Sequence, residues 1–140
     1  MLKFLSAFIA WLYSQDIIPQ EVTELDIGTD RENKTYLMNF PDDASNVVCV
    51  RQYNQRLNTD VCRDACIRYI QILVRNTSHV DAISLTEKVF QFMKERPEMI
   101  EDMDSDYWVL IQCTNGPSQI EQDQQGRYVY GISFPITTKI

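Results

Sequence analysis

Three aspartates at alternate positions, Asp102, Asp104 and Asp106, stand in the stretch EMIEDMDSDY. Carboxylates so spaced invite a calcium-loop reading. That loop also needs glycine at its sixth position and glutamate at its twelfth, where this chain has Tyr107 and Cys113, so the EF-hand reading fails. A solvated acidic loop is the expectation, with a loose divalent-ion contact as the sharper alternative. Of the cysteines Cys49, Cys62, Cys66 and Cys113, only Cys62 and Cys66 are close, and C-x3-C with no second ligand pair is a poor zinc signature. Three of the four lie in apolar runs, where a free thiol behaves as a small hydrophobe. His79 is the single histidine and sits beside a helix start, so a surface or capping role is the plainer reading. Arg51, Arg56 and Arg63 suggest a phosphate site, but interspersed acids and the lack of a glycine-rich turn favour a solvated loop. The chain has no G-x-S-x-G, P-loop, H-E-x-x-H or dinucleotide fingerprint. No catalytic residue, metal or cofactor is expected, and the chain does not read as an enzyme.

The elements that carry these residues are those of one domain. At 140 residues and 44% hydrophobic content, the chain is long enough to bury a core without a staple. The formal charge is -7, and the window from Glu98 to Gly126 holds seven acids and no Lys or Arg. Such a chain is a poor general binder of nucleic acid, because phosphate contacts need cations that displace counterions. It can instead repel DNA from a surface that DNA slides past. The opening MLKFLSAFIAWLY resembles a signal peptide, but its apolar run is too short to span a bilayer and Ser14, Gln15 and Asp16 make a poor cleavage site. Leu2, Leu5, Phe8, Ile9 and Leu12 fall on one helical stripe, which predicts an N-terminal helix packed on the core or on a partner subunit. With no clear secretory signal, a reducing compartment is expected.

The centre of the chain is CIRYIQILVR, a β-branched, Gly- and Pro-free run that reads as a buried strand. A helix follows from His79 to Lys94, with Ala82, Leu85, Val89, Phe92 and Met93 on one face and Pro97 as its stop. Ser78 with Asp81 forms a capping-box-like start. Upstream, Thr35–Phe40 and Asn46–Tyr53 read as two strands joined by the turn cluster 41–45, a hairpin. Residues 54–65 read as a loop. Tyr107–Cys113 is a further strand, and a long connection from Thr114 leads to Gly126. The closing run alternates: Tyr128, Tyr130, Ile132, Phe134 and Ile136 on one face, Arg127, Val129, Gly131, Ser133, Pro135 and Thr137 on the other. The expected fold is α+β, a mainly antiparallel sheet of four to five strands with an N-terminal helix and one long helix on one face.

The ordered set TYLMNFPDDASNVVCVRQY, CIRYIQILVRNTSHVDAISLTEKVFQFMKE and GRYVYGISFPITT resembles the tail terminator family of long-tailed bacteriophages, also described as minor capsid or tail completion proteins. The shared layout is an N-terminal helix, a strand ending in Phe40-Pro41-Asp42, the Asn46–Val48 strand and the Gln71–Arg75 strand. A helix, a strand and a closing strand introduced by Gly126-Arg127-Tyr128 complete it. The resemblance covers most of residues 1–138; the acidic connector 15–33 and the loop 54–65 depart from it. It implies a structural virion protein of the neck or tail, assembled in the host cytoplasm and not in a membrane. Such proteins form rings, usually hexameric, that cap the tail tube and join it to the head connector. The implied partners are further copies of the chain, the major tail tube protein and the head–tail connector protein, with genomic DNA only passing through the lumen. Glu98, Glu101, Asp102, Asp104, Asp106, Glu121 and Asp123 are then expected on the lumen or a ring face, with solvated outer loops as the alternative. Phe8, Trp11, Phe40, Pro41, Arg127 and Val129 are candidates for the subunit or partner interface. The runner-up function is another head–tail connector, or a small non-catalytic adaptor that binds a protein partner through an exposed sheet edge.

Overall fold

The computed structural model describes residues 2–23, 31–57, 65–94, 99–101, 108–111, 113 and 115–139. Helix α1 (Leu2–Ser14) is followed by strands β1 (Thr35–Leu37), β2 (Val47–Leu57) and β3 (Ala65–Asn76). Helix α2 (His79–Lys94) comes next, then β4 (Met99–Glu101), β5 (Trp108–Ile111), β6 (Ser118–Gln122) and β7 (Tyr128–Lys139). The sheet runs β1-β2-β3-β7-β5-β4, with β6 also on β7. The α+β expectation therefore holds, with seven strands in the sheet because β1, β4 and β6 are short additions to it.

Both helices lie on one face. Helix α1 lies against β1 and β2, and α2 against β3 and β7. Phe4, Leu5, Phe8, Ile9 and Leu12, at helical three- and four-residue spacing, are fully buried with Val48 and Val50 of β2, Ile70, Ile72 and Val74 of β3, and Ile132, Phe134 and Ile136 of β7. Ala82, Val89 and Met93 bring α2 into the same core. Among the described side chains, the predicted stripes and the alternating face of β7 are buried in this core or, at Leu85, Phe92, Tyr128 and Tyr130, packed against it. Aromatic contacts tie the layers: Phe8 meets Phe134 edge-on with ring centroids 6.3 Å apart, and Trp11 meets Phe92 at 5.5 Å.

Local chemistry sets the ends. At the C-terminus of α1, Ile17 N–H donates to the Leu12 carbonyl (3.0 Å) and Asp16 N–H to that of Tyr13 (2.9 Å), with Asp16 at φ 60°. This is the Schellman arrangement, and its apolar contact is supplied by Ile17 and Leu12, both in the core. At the start of α2, Ser78 Oγ accepts from Asp81 N–H at 3.2 Å, satisfying one orphan donor as the sequence suggests.

Four expectations are corrected. Thr35–Leu37 and β2 do not form a hairpin: β1 pairs β2 in parallel, Thr35 opposite Val48 and Leu37 opposite Val50. The connection 38–46, which turns through Met38 at φ 69°, carries the chain back to the start of β1 instead of reversing it. The loop expected at 54–65 is shorter, because β2 and β3 pair from Val47–Arg75 out to Leu57–Cys66; residues 58–64 lie outside the described set. The long connection before Gly126 contains β6. Both β5 and β6 run antiparallel to β7, at residues 136–138 and 128–131 respectively, so they act as one strand interrupted beside residues 132–135. Pro135 falls in that interruption, where a missing ladder donor is tolerated. Finally, the second face of β7 is not simply open, since Val129 is buried with Cys49 and Leu73.

The thiol of Cys49 is pushed up to about 11, chiefly by burial, with Arg51 and Arg75 opposing; burial also raises Cys113. Thiolate is the reactive species, so both should resist alkylation in the native protein at neutral pH and react once denatured, as mapped by peptide mass. Ile132 is 2% exposed within the core. Ile132→Asp is expected to abolish cooperative folding, because an unpaired carboxylate there costs several kcal/mol; Phe8→Ala should cost about 3–5 kcal/mol. Circular-dichroism melting checks both.

Candidate assembly surface

The face of the sheet away from the helices is divided in two. Its first half, the rows Val47–Arg75–Val129 and Cys49–Leu73–Gly131, lies at the end where residues 38–46 cross. Backbone carbonyls in a covered segment need donors, and two arginines provide them. Arg75 Nη2 donates to the carbonyls of Pro41 and Ala44. Arg127 Nη1 donates to those of Asp42 and Ala44, both at 3.2 Å. The guanidinium of Arg75 also lies 4.6 Å from the centre of the Phe40 ring, a cation–π contact. From the other side, Glu32 accepts from Ser45 N–H (2.8 Å) and Asn46 N–H (2.6 Å), and Arg31 pairs with Asp43 at 3.1 Å. Beneath the crossing, Leu73 packs so closely over Gly131 that a Cβ there would stand 2.7 Å from Leu73 Cδ2.

The β6–β7 turn completes this clamp. Asp123 Oδ2 pairs with Arg127 Nε at 2.6 Å, while Oδ1 accepts from Gln125 N–H and Arg127 N–H at 3.0 and 2.9 Å. Gly126, at φ 77°, supplies the left-handed position that closes such a hairpin. Burial works against ionisation of Asp123, but its hydrogen bonds from Arg127 and Gln125 win and hold its carboxyl below the ordinary value. Arg75 is lowered first by burial and then by Arg127, with Asp123, Asp42 and Glu32 opposing. Asp123 thus balances Arg127 directly and acts on Arg75 through its charge.

The second half of the face is not covered by the crossing segment. Arg51 stands opposite Gln71, and Gln71 opposite Ser133; Arg51 Nε donates to Gln71 Oε1 at 2.6 Å. In the next row Tyr69 stands opposite Pro135, and the ring of Tyr53 lies 6.0 Å from that of Tyr69. Tyr53 is 55% exposed, and its neighbours in these rows are half-buried. The sheet edges also differ. On β1, Thr35 N–H donates to the Gln20 carbonyl and Val22 N–H to that of Thr35, both at 2.9 Å, so the connector closes that edge. On the other side β6 is exposed along its length, with Ile120 at the shift in its pairing with β7.

The expected site residues fall in different places. Phe8 is in the helix-side core, and Val129 and Arg127 are buried at 3% and 4% exposure, so these three side chains serve the chain itself and present almost no surface to a partner. Phe40 and Pro41 are half-buried in the crossing segment, and Trp11 is half-buried between α1 and α2. Glu121 is exposed on β6, whereas Asp123 is tied to Arg127. Glu101 belongs to β4, with its side chain not described; Glu98, Asp102, Asp104 and Asp106 lie outside the described residues. His79 is on the surface, stacked on Tyr128 at 4.4 Å and within 2.6 Å of the Tyr130 hydroxyl. Sequence reasoning missed Tyr53, Tyr69 and Gln71. The available signal was their position opposite the apolar residues of strands otherwise read as buried.

Among the described residues no group of three or more His, Cys, Asp or Glu side chains is placed to hold a metal ion, and no helix is long and apolar enough to cross a membrane. Among the described residues the buried arginines hold the chain's own crossing segment, and strand β6 and Tyr53 are exposed. In the family comparison the model for bacteriophage tail terminator protein matches residues 21–140, and the chain belongs to that family of phage tail structural proteins. Helix α1 precedes the matched segment yet supplies a large share of the same core. Comparison with curated proteins finds no match.

The lowered Asp123 has a stability consequence of definite sign. Its contribution is complete above the ordinary carboxylate range and is lost as pH falls through the depressed folded value. Wild type should therefore melt above Asp123→Asn at neutral pH, and the gap should close as pH drops below about 4. Removing the other anchor, Arg75→Met, should cost roughly 1–3 kcal/mol through unsatisfied carbonyls and speed amide exchange across 38–46.

Proposed function

We propose that the chain assembles into a closed, hexameric ring that caps the phage tail tube and presents its upper face to the head connector. The observation that carries this reading is the tail-terminator match across residues 21–140, which takes in every strand of the sheet and α2. The fold is compatible with ring closure. A ring needs a head-to-tail contact between two different patches of one subunit, and this subunit has a closed edge at β1, an open edge at β6 and a half-open sheet face.

The acids complete the reading. Glu98, Glu101, Asp102, Asp104, Asp106 and Glu121 line the lumen or a ring face and keep passing DNA from sticking, while Asp123 stays in the turn. Support comes from the arginines: Arg68, Arg75 and Arg127 are buried and cannot supply phosphate contacts.

Native mass measurement of the purified protein, alone and with isolated tail tubes, tests the reading. A discrete ring that binds tube ends is the expected result; a strict monomer that ignores them would overturn it.

A further inference from the structure

We propose that residues 39–45 of the crossing segment form an acid-sensitive strap, which lifts from the sheet as a unit while both helices and the core beneath them stay folded. Its ends are fixed by the backbone. Met38 N–H donates to the Val50 carbonyl at 2.9 Å, and Asn33 N–H donates to that of Asn46 at 2.7 Å. Between these points Ala44 is the one buried residue. Segments with few buried apolar groups are the ones that open at low free energy. Among the described residues the strap is held largely by charged side chains. Arg75 and Arg127 donate to the carbonyls of Pro41, Asp42 and Ala44. Glu32 accepts from Ser45 N–H and Asn46 N–H, and Arg31 pairs with Asp43.

Every anion in this set is a carboxylate, so protons compete with the tethers. Asp123 matters most. It fixes Arg127 through both oxygens, and its charge reaches Arg75 together with those of Asp42 and Glu32. Once Asp123 is protonated, the Arg127 guanidinium loses its partner while Arg75 still repels it. The direction follows from its lowered carboxyl: the tether is whole at neutral pH and weakens as pH falls through that value. The main core is built of apolar side chains and outlasts the strap. Beneath the strap, Phe40 packs on Cys49, Leu73 and Val129. Lifting it therefore brings the Cys49 thiol, 1% exposed when closed, into water. Cys113, buried in the main core, stays covered and serves as the control within the same chain.

The test uses the full-length chain and its Asp123→Asn variant. Residue-resolved amide exchange in low urea follows Ser45 and Asn46 against Ile72 of β3. Expected is exchange of the first two through an opening that urea barely promotes, because it exposes little surface, while Ile72 waits for urea-promoted unfolding. A shared opening free energy and a shared urea slope would overturn the strap. As pH drops below about 4, the protection of Ser45 and Asn46, corrected for the intrinsic rate, should fall at least about tenfold. In Asp123→Asn the fall should be smaller, since one titrating group is gone; an equal fall would remove Asp123 from the switch. Thiol labelling of wild type with a disulfide reagent that works in acid does not depend on the variant folding. Normalised to the denatured chain, Cys49 should react ahead of Cys113 while the helical circular-dichroism signal persists. Reaction of both together, as that signal is lost, would overturn the proposal.

Discussion

Everything on the open side of the sheet depends on two guanidiniums reaching the carbonyls of residues 41–44. The parallel pairing of β1 with β2 obliges the chain to return to the start of β1 within residues 38–46, with no helix to cover the crossing. Parallel neighbours ordinarily need a longer connection with its own regular structure. Here the crossing is irregular, so its carbonyls have no ladder, and Arg75 and Arg127 serve as the ladder. Burying two like charges together is costly. The arrangement is stable because Asp123 neutralises Arg127, and Arg75 sits over Phe40 within reach of the fields of Asp123, Asp42 and Glu32.

The clamp also decides what the face can do. By pinning the crossing segment over the Val47 and Cys49 rows, it converts one half of a two-sided sheet into a second small core, while the other half stays half-buried with Tyr53 exposed. On the other face α1 and α2 close the main core together with Ile17, Ile18 and Cys113, and Met38 at the start of the crossing packs against it. Stability and outward surface therefore lie on opposite faces of the same strands. Residues at alternate positions along β2 and β3 belong to one or the other: Val48, Val50, Ile70 and Ile72 to the core, Arg51, Tyr53, Tyr69 and Gln71 to the exterior.

Periodicity made the core side legible. The alternation of Tyr128 to Ile136 and the stripes of α1 and α2 are local patterns, and local patterns survive into the fold because a one-residue slip would turn every side chain over. What the sequence could not reveal were relations between distant segments. Nothing in Thr35–Phe40 distinguishes a hairpin partner from a parallel one, because that depends on where Arg75 and Arg127 end up. Strand β6 was hidden because SQIEQ lacks both alternation and β-branched bulk; it exists by pairing with β7, as edge strands do. Val129 and Arg127 looked like outward residues since their face of β7 was taken as uncovered, and the cover comes from a segment over eighty residues away. Tyr53 and Tyr69 read as part of apolar runs, and only the structure shows Tyr53 exposed and Tyr69 half-buried on the face away from the helices.

The same architecture decides which cations the chain encloses. Burial of Arg68, Arg75 and Arg127 leaves the net charge unchanged, so at a distance the chain remains acidic. At contact range the effect is larger: a phosphate needs a cation it can touch, and these three are enclosed by Phe4 and Gln52, by Phe40 and the Pro41–Ala44 carbonyls, and by Asp123. A fold that holds an irregular segment with buried positive charge has reason to use arginine on its carbonyls. Lysine, a strongly hydrated point charge, would bury less readily and could not hold a carboxylate through one nitrogen and two carbonyls through another, as Arg127 does.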